Sequence, residues 1–176
     1  LTGFIPPTRG NALVTGRTVA HPVGMSEVRR VMGVCPQFDT LWANLTAREH
    51  LELFAAIKGV QTEAIPVEAM RRIEEVRLTD AADRLAGTFS GGMRRRLSVA
   101  IALMGNPQVV FLDEPTTGMD PINRRHVWDV VEAAKQDRCV VLTTHSMEEA
   151  DILGDTIAIM AKGRLRCLRS TSVTYI

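Results

Sequence analysis

The sequence predicts an α/β fold, a mostly parallel sheet covered by helices with an all-helical segment inserted into it. Short apolar runs at 31–35, 109–112 and 139–143 alternate with amphipathic helical stretches, the pattern of strands joined by crossover helices. The runs at 109–112 and 139–143 lack polar alternation, as expected of parallel strands buried on both faces. Between the first and second runs, residues 46–86 carry helical periodicity and no strand signal.

Each element has its own local reason. Leu1-Thr2-Gly3 reads as the end of a helix, with Gly3 as its stop. Gly10 to Gly16 alternates apolar and polar residues like a short edge strand, and Val31 to Cys35 is a strand halted by Pro36. Thr46 and Glu49 form a capping box for a helix whose apolar face is Leu51, Phe54, Ala55 and Ile57, ending at Gly59. Pro66 opens the next helix at its first position, with Val67, Met70, Ile73 and Val76 on one face. Thr79 starts a shorter helix that ends by Gly87. Ser90 caps a helix running to Met104, stopped by Gly105-Asn106-Pro107. A helix from about Ile122 to Lys135 follows the strand Val109 to Leu112. Ser146 and Glu149 cap another helix after the strand Cys139 to Thr143, and Lys162-Gly163 turns a hairpin between Asp155–Ala161 and Arg164–Cys167.

Composition narrows the function classes. The chain of 176 residues is 45% hydrophobic and 23% charged, ordinary values for one globular domain. A formal net charge of +1 supplies no field toward nucleic acid, and none is expected as a partner. The longest unbroken apolar run, Val99 to Met104, is far short of the ~20 residues that cross a bilayer. Cys35, Cys139 and Cys167 are too scattered for a disulfide framework or a zinc knuckle, which points to a reducing compartment. Cys35 and Cys139 lie in apolar runs and read as small buried hydrophobes.

The chemistry gathers at strand ends. In open α/β sheets ligands sit beyond the carboxyl ends of the strands. Here those ends carry Gln37, the pair Asp113-Glu114, and His145, and parallel strands would put all three on one rim. A carboxylate closing an apolar strand is expected to be half-buried, a cost that a magnesium ion would offset. Successive strand residues point opposite ways, so one acid can serve the metal while its neighbour faces a water. Ser90-Gly91-Gly92 opens a helix, where backbone N–H groups and the dipole favour an anion and glycine admits a phosphate closely. Arg94, Arg95 and Arg96 in the first turns oppose that dipole; a nearby anion or acidic partner would compensate them, or exposed arginines are simply tolerated there. Gly118-Met119-Asp120-Pro121 is a turn into a helix with an N-terminal acid. No Gly-x-x-x-x-Gly-Lys-Ser/Thr loop occurs in the 176 residues, so the main phosphate cradle is expected to lie outside them.

Together these residues resemble the nucleotide-binding domain of ABC-type ATPases, across essentially the whole chain. Val-Val-Phe-Leu-Asp-Glu-Pro (109–115) resembles the Walker B strand, and Phe-Ser-Gly-Gly-Met (89–93) the signature loop, with Phe89 and Met93 where Leu and Gln are commoner. Gln37 matches the Q-loop, Gly118-Met119-Asp120 the D-loop and His145 the switch histidine. Leu-Thr-Gly-Phe-Ile-Pro-Pro-Thr (1–8), Gly-Val-Cys-Pro-Gln (33–37), Ser90 to Ala102 and Thr-Thr-Gly-Met-Asp-Pro (116–121) resemble subfamily A, the full-size lipid exporters; related bacterial exporters share several of these strings.

The resemblance implies a P-loop NTPase-like fold, with core residues 1–37 and 88–176 around a helical subdomain at about 46–86. It implies an N-terminally truncated piece lacking the P-loop, inactive alone, from an ATPase that couples ATP hydrolysis to export of a lipid or other amphiphile. ATP and Mg²⁺ are the implied cofactors. Ser90, Gly91, Gly92 and Asp120 would meet the ATP of a second, head-to-tail domain; Asp113 and Gln37 would hold the metal. Glu114 would activate water and His145 would bond the γ-phosphate. The helical layer would dock transmembrane domains of the same transporter at the cytoplasmic face of a membrane, with Phe38, Leu41 and Trp42 either in that contact or packed locally. A soluble ABC ATPase without a transporter, or a degenerate regulatory domain, are the competing readings.

Overall fold

The structure, a computed structural model, describes residues 1–170. The chain forms two compact units, one over Leu1–Thr143 and a second from Thr144 onward.

The first unit opens with twelve residues free of helix and strand, so the expected helix end at Leu1–Gly3 does not form there. Two-residue strands β1 (Leu13–Val14) and β2 (Arg17–Thr18) then pair antiparallel across Thr15-Gly16, both at positive φ. The 10–16 segment is therefore one arm of a small hairpin, not a lone edge strand. Helix α1 (Pro22–Val31) follows, unanticipated from the sequence; Pro22 starts it and only Met25 and Val28 are buried. Pro22 and Gly24 in its first three residues read as turn signals in the sequence and masked it. With Val14, Met32 and Val109, Met25 and Val28 form a core cluster under the sheet.

Strand β3 (Met32–Cys35) leads by a loop to α2 (Ala47–Ile57) and α3 (Ile65–Glu75). The Thr46/Glu49 capping box forms in both directions: Glu49 N donates to Thr46 Oγ1 at 3.1 Å and Thr46 N to Glu49 Oε2 at 2.7 Å. Leu51 and Ala55 are fully buried, but Ile57 is exposed. In α3 the buried stripe is Ala69, Arg72 and Ile73, followed by Val76, while Val67 faces solvent. Arg72 is tolerated there because Nε donates to Glu68 and Nη1 to Glu75 on its own helix. The helix expected from Thr79 is instead two 3₁₀ turns, Thr79–Ala81 and Ala86–Thr88.

Helix α4 (Gly91–Ala102) packs on α2, α3 and β3, and strand β4 (Val109–Asp113) follows it. Gly33 makes this packing possible: a Cβ there would meet the Ala102 carbonyl oxygen at 1.8 Å. Helix α5 (Pro121–Lys135) and strand β5 (Cys139–Thr143) complete the unit. The sheet order is β3-β4-β5, all parallel, with Val34 beside Phe111 and Phe111 beside Val141. Strand β5 is not buried on both faces, since Cys139, Val141 and Thr143 are exposed. Cys139 is thus a surface thiol, while Cys35 is buried as expected.

The second unit holds α6 (Met147–Leu153) and the hairpin β6 (Thr156–Ala161) to β7 (Arg164–Ser170). Ser146 Oγ accepts from Glu149 N at 3.3 Å to cap α6. Lys162 and Gly163, both at positive φ, turn the hairpin.

Candidate functional site

Parallel register brings the three strand ends together. Cys35 lies beside Leu112, Leu112 beside Leu142, and Asp113 beside Thr143. Just past β3, the exposed Gln37 reaches the acid pair: its Nε2 donates to Glu114 Oε2 at 3.3 Å. The same carboxylate oxygen accepts from Thr117 Oγ1 at 2.9 Å. Thr143 Oγ1 donates to Asp113 Oδ1. Gln37, Asp113 and Glu114 therefore form one polar cluster, extended by Thr117 and Thr143. These two threonines were not singled out from the sequence, where a strand-end Thr carries no distinguishing signal.

Two expectations about the acids change. Asp113 is exposed and Glu114 half-buried, so the buried-charge argument for a metal does not apply to Asp113. Nor does strand alternation orient them. Glu114 lies at φ 47, in the left-handed region, an arrangement costing about 1–3 kcal/mol for a non-glycine residue. The chain turns there, and Glu114 N donates back to Thr143 O at 3.1 Å.

The second cluster sits at the start of α4. Ser90 Oγ accepts from Met93 N at 3.3 Å, leaving the first turn of the helix capped. A Cβ on Gly91 would meet nothing within 4 Å, whereas one on Gly92 would meet the Asn123 side chain at 3.0 Å. Asn123 Nδ2 in turn donates to Asp120 Oδ2 at 2.6 Å, and Asp120 Oδ1 accepts from the Ile122 and Asn123 N–H groups at 3.1 Å each. The Asn123 side chain first, then its backbone N–H, holds the Asp120 carboxyl below its ordinary range. Asn123 thereby joins the Ser90–Gly92 turn to Asp120.

Backbone carbonyls accept from all three arginines of α4, and Arg95 also has an acidic partner of the expected kind, Asp39. Arg94 donates to Phe89 O at 2.7 Å; Arg96 donates to Val76 O at 2.8 Å and Arg77 O at 2.7 Å. Arg95 is buried at 6% exposure and links the two clusters. Its Nη2 donates to Asp113 O at 2.6 Å and Glu114 O at 3.0 Å, and its Nε to Pro115 O at 2.9 Å. Its Nη1 donates to Pro36 O, to Gln37 O at 3.2 Å and to Asp39 Oδ1 at 3.4 Å. Only a run of three arginines hinted at it in the sequence.

His145 lies in the second unit, between β5 and α6. Phe38 is 79% exposed; Trp42 is half exposed, packs against the rings of His50 and Phe54, and donates its backbone N–H to His50 Nε2 at 2.9 Å. Among the described residues no three His, Cys, Asp or Glu side chains converge as a metal cage. The Asp113 carboxylate with the Gln37 amide still fits Mg²⁺, which is commonly held by one or two protein oxygens with waters and phosphates supplying the rest. Gly91, open to approach at a helix N-terminus, fits a phosphate.

The fold matches a solved dimeric ATP-binding cassette, MJ0796, captured after hydrolysis with ADP and phosphate. The TM-score is 0.87 over 98% of this chain and 78% of that one, at 22% identity. In sequence the chain is 58% identical over 168 residues to ABC transporter A family member 2 of Arabidopsis thaliana. It is 47% identical over 171 residues to the human "Phospholipid-transporting ATPase ABCA3". These alignments take in 96% and 97% of the chain but only 17% and 10% of the two relatives. No described helix is long and apolar enough to cross a membrane. The ABC transporter family profile matches residues 1–117, and the chain belongs to that family.

Proposed function

We propose that this chain is part of the ATP-hydrolysing domain of an A-family transporter, coupling ATP hydrolysis to export of a lipid or other amphiphile. The observation that carries the reading is the Gln37–Glu114 hydrogen bond at the sheet rim, which joins a strand-end amide to the carboxylate proposed as base. Similarity to a relative named for phospholipid transport supports the substrate class.

In this reading Glu114 accepts a proton from the attacking water, held in place by Thr117 and its left-handed backbone. Asp113 and Gln37 would hold Mg²⁺, which would supply charge neutralisation for the phosphates. The Thr143 hydroxyl orients the Asp113 carboxylate. Ser90, Gly91 and Gly92 offer N–H groups to the γ-phosphate held by a second, head-to-tail copy of the domain, and Asp120 shares that interface. His145 hydrogen-bonds the γ-phosphate. The 46–86 layer is a helical subdomain that docks the transmembrane domains on the cytoplasmic face, with the exposed Phe38 in that contact. Trp42 is local packing on α2.

The test is ATP turnover by the intact transporter reconstituted in lipid vesicles, with and without Glu114→Gln. Lipid-stimulated turnover abolished by the substitution supports the proposal. Absence of turnover in the unsubstituted protein would favour the degenerate regulatory reading.

A further inference from the structure

We infer that Arg95 is a positioning residue that fixes the Gln37 and Glu114 segments to one another and to the helix opened by Ser90-Gly91-Gly92. The inference rests on the ATPase reading above. A guanidinium is planar and carries five N–H donors in a fixed fork. Here that fork spans two loops that do not touch in sequence. One side takes the carbonyls of Pro36 and Gln37; the other takes Asp113, Glu114 and Pro115. Three successive carbonyls can face one group because Glu114 turns through φ 47. Arg95 thus holds the backbone conformation that aims the Glu114 side chain at Gln37.

Charge balance supports a dedicated role. The only carboxylate against Arg95 among its hydrogen-bond partners is Asp39, at 3.4 Å, itself held by Ser98 Oγ at 2.8 Å from the same helix. A buried cation compensated chiefly by carbonyl dipoles is a costly arrangement for stability alone. It is suited to transmitting the position of α4, since any shift of the helix moves both loops together. Lysine keeps the charge but, as a single point with three donors, cannot bridge both loops.

The experiment compares the intact transporter with its Arg95→Lys and Asp39→Asn variants, measuring ATPase kcat and KM alongside amide hydrogen exchange. For Arg95→Lys, kcat falls roughly tenfold or more while KM for ATP changes less than about threefold, the signature of lost alignment and not of lost binding. Exchange accelerates at Gln37, Phe38, Asp39, Glu114 and Thr116 but not in α2. Unchanged kcat overturns the inference, as does a parallel loss of kcat and ATP affinity with faster exchange throughout the chain, which marks a structural role only. If Arg95→Lys does not fold, Asp39→Asn decides, with a kcat loss of roughly threefold at constant KM expected and no loss refuting. Turnover in the unsubstituted protein is the control: its absence defeats the ATPase reading, whereas its presence with an indifferent Arg95 defeats this inference alone.

Discussion

Gln37 and Glu114, 77 residues apart, meet through a 3.3 Å hydrogen bond from the Gln37 amide to the Glu114 carboxylate. Two parallel strands, β3 and β4, deliver them to the same rim, and Arg95 ties their backbones together from below. A movement of either loop is therefore felt by the carboxylate that we propose as base.

Replacing that base gives the first prediction. Glu114→Gln in the intact protein is expected to lower ATP turnover roughly 10²–10⁴-fold, the size of a general-base contribution. The amide still accepts from Thr117, so ATP-driven closure of the two domains should persist. Single-turnover kinetics with a closure-sensitive crosslink check both halves, and full turnover would remove Glu114 from the role.

The two glycines of the signature turn should behave differently. Gly91 has open space where a Cβ would go, at the first position of α4. Gly91→Ala is expected to leave folding intact, or stabilise the helix by up to about 1 kcal/mol, while obstructing phosphate approach. Gly92→Ala should push Asn123 away from Asp120, because its Cβ would lie 3.0 Å from that side chain. Thermal melts paired with ATPase rates separate the cases: activity loss without destabilisation for Gly91, and both together for Gly92.

Burial pushes the Cys35 thiol up to about 12 from its ordinary 9.0. Below pH 9 folded and unfolded chains both keep the proton, so the thiol leaves stability unchanged. Between pH 9 and 12 only the unfolded chain releases it, and stability falls by at most about 1.4 kcal/mol per pH unit. Cys35 should resist iodoacetamide at pH 8.5 in the folded protein and react after denaturation. Equal labelling in both states would contradict the burial.

Thr46→Ala removes one half of the capping box and is expected to weaken α2 by about 1 kcal/mol. Hydrogen exchange should quicken at the first amides of α2, with little change in α5. Uniform protection across α2 would argue against the cap.

Much of this was legible in the sequence because its signals are local. The capping box at Thr46, the Ser146 cap, Pro at helix starts, and apolar strands each follow from a few adjacent residues whose backbone preferences and hydrogen bonds act over one turn. The ABC motifs likewise placed Gln37, Asp113 and Glu114 at strand ends, and parallel pairing brought these three together. Only the tertiary structure decided how their groups are used. It turned Glu114 into the left-handed region, left Asp113 exposed beside the Thr143 hydroxyl, and left Cys139 on the surface of β5. It also directed the α4 arginines onto backbone carbonyls, with Arg95 beside Asp39 as well, where the sequence offered an anion, an acidic partner or simple exposure. The physical reason is range: a carbonyl has no residue identity, so nothing in the local sequence announces which buried side chain will satisfy it.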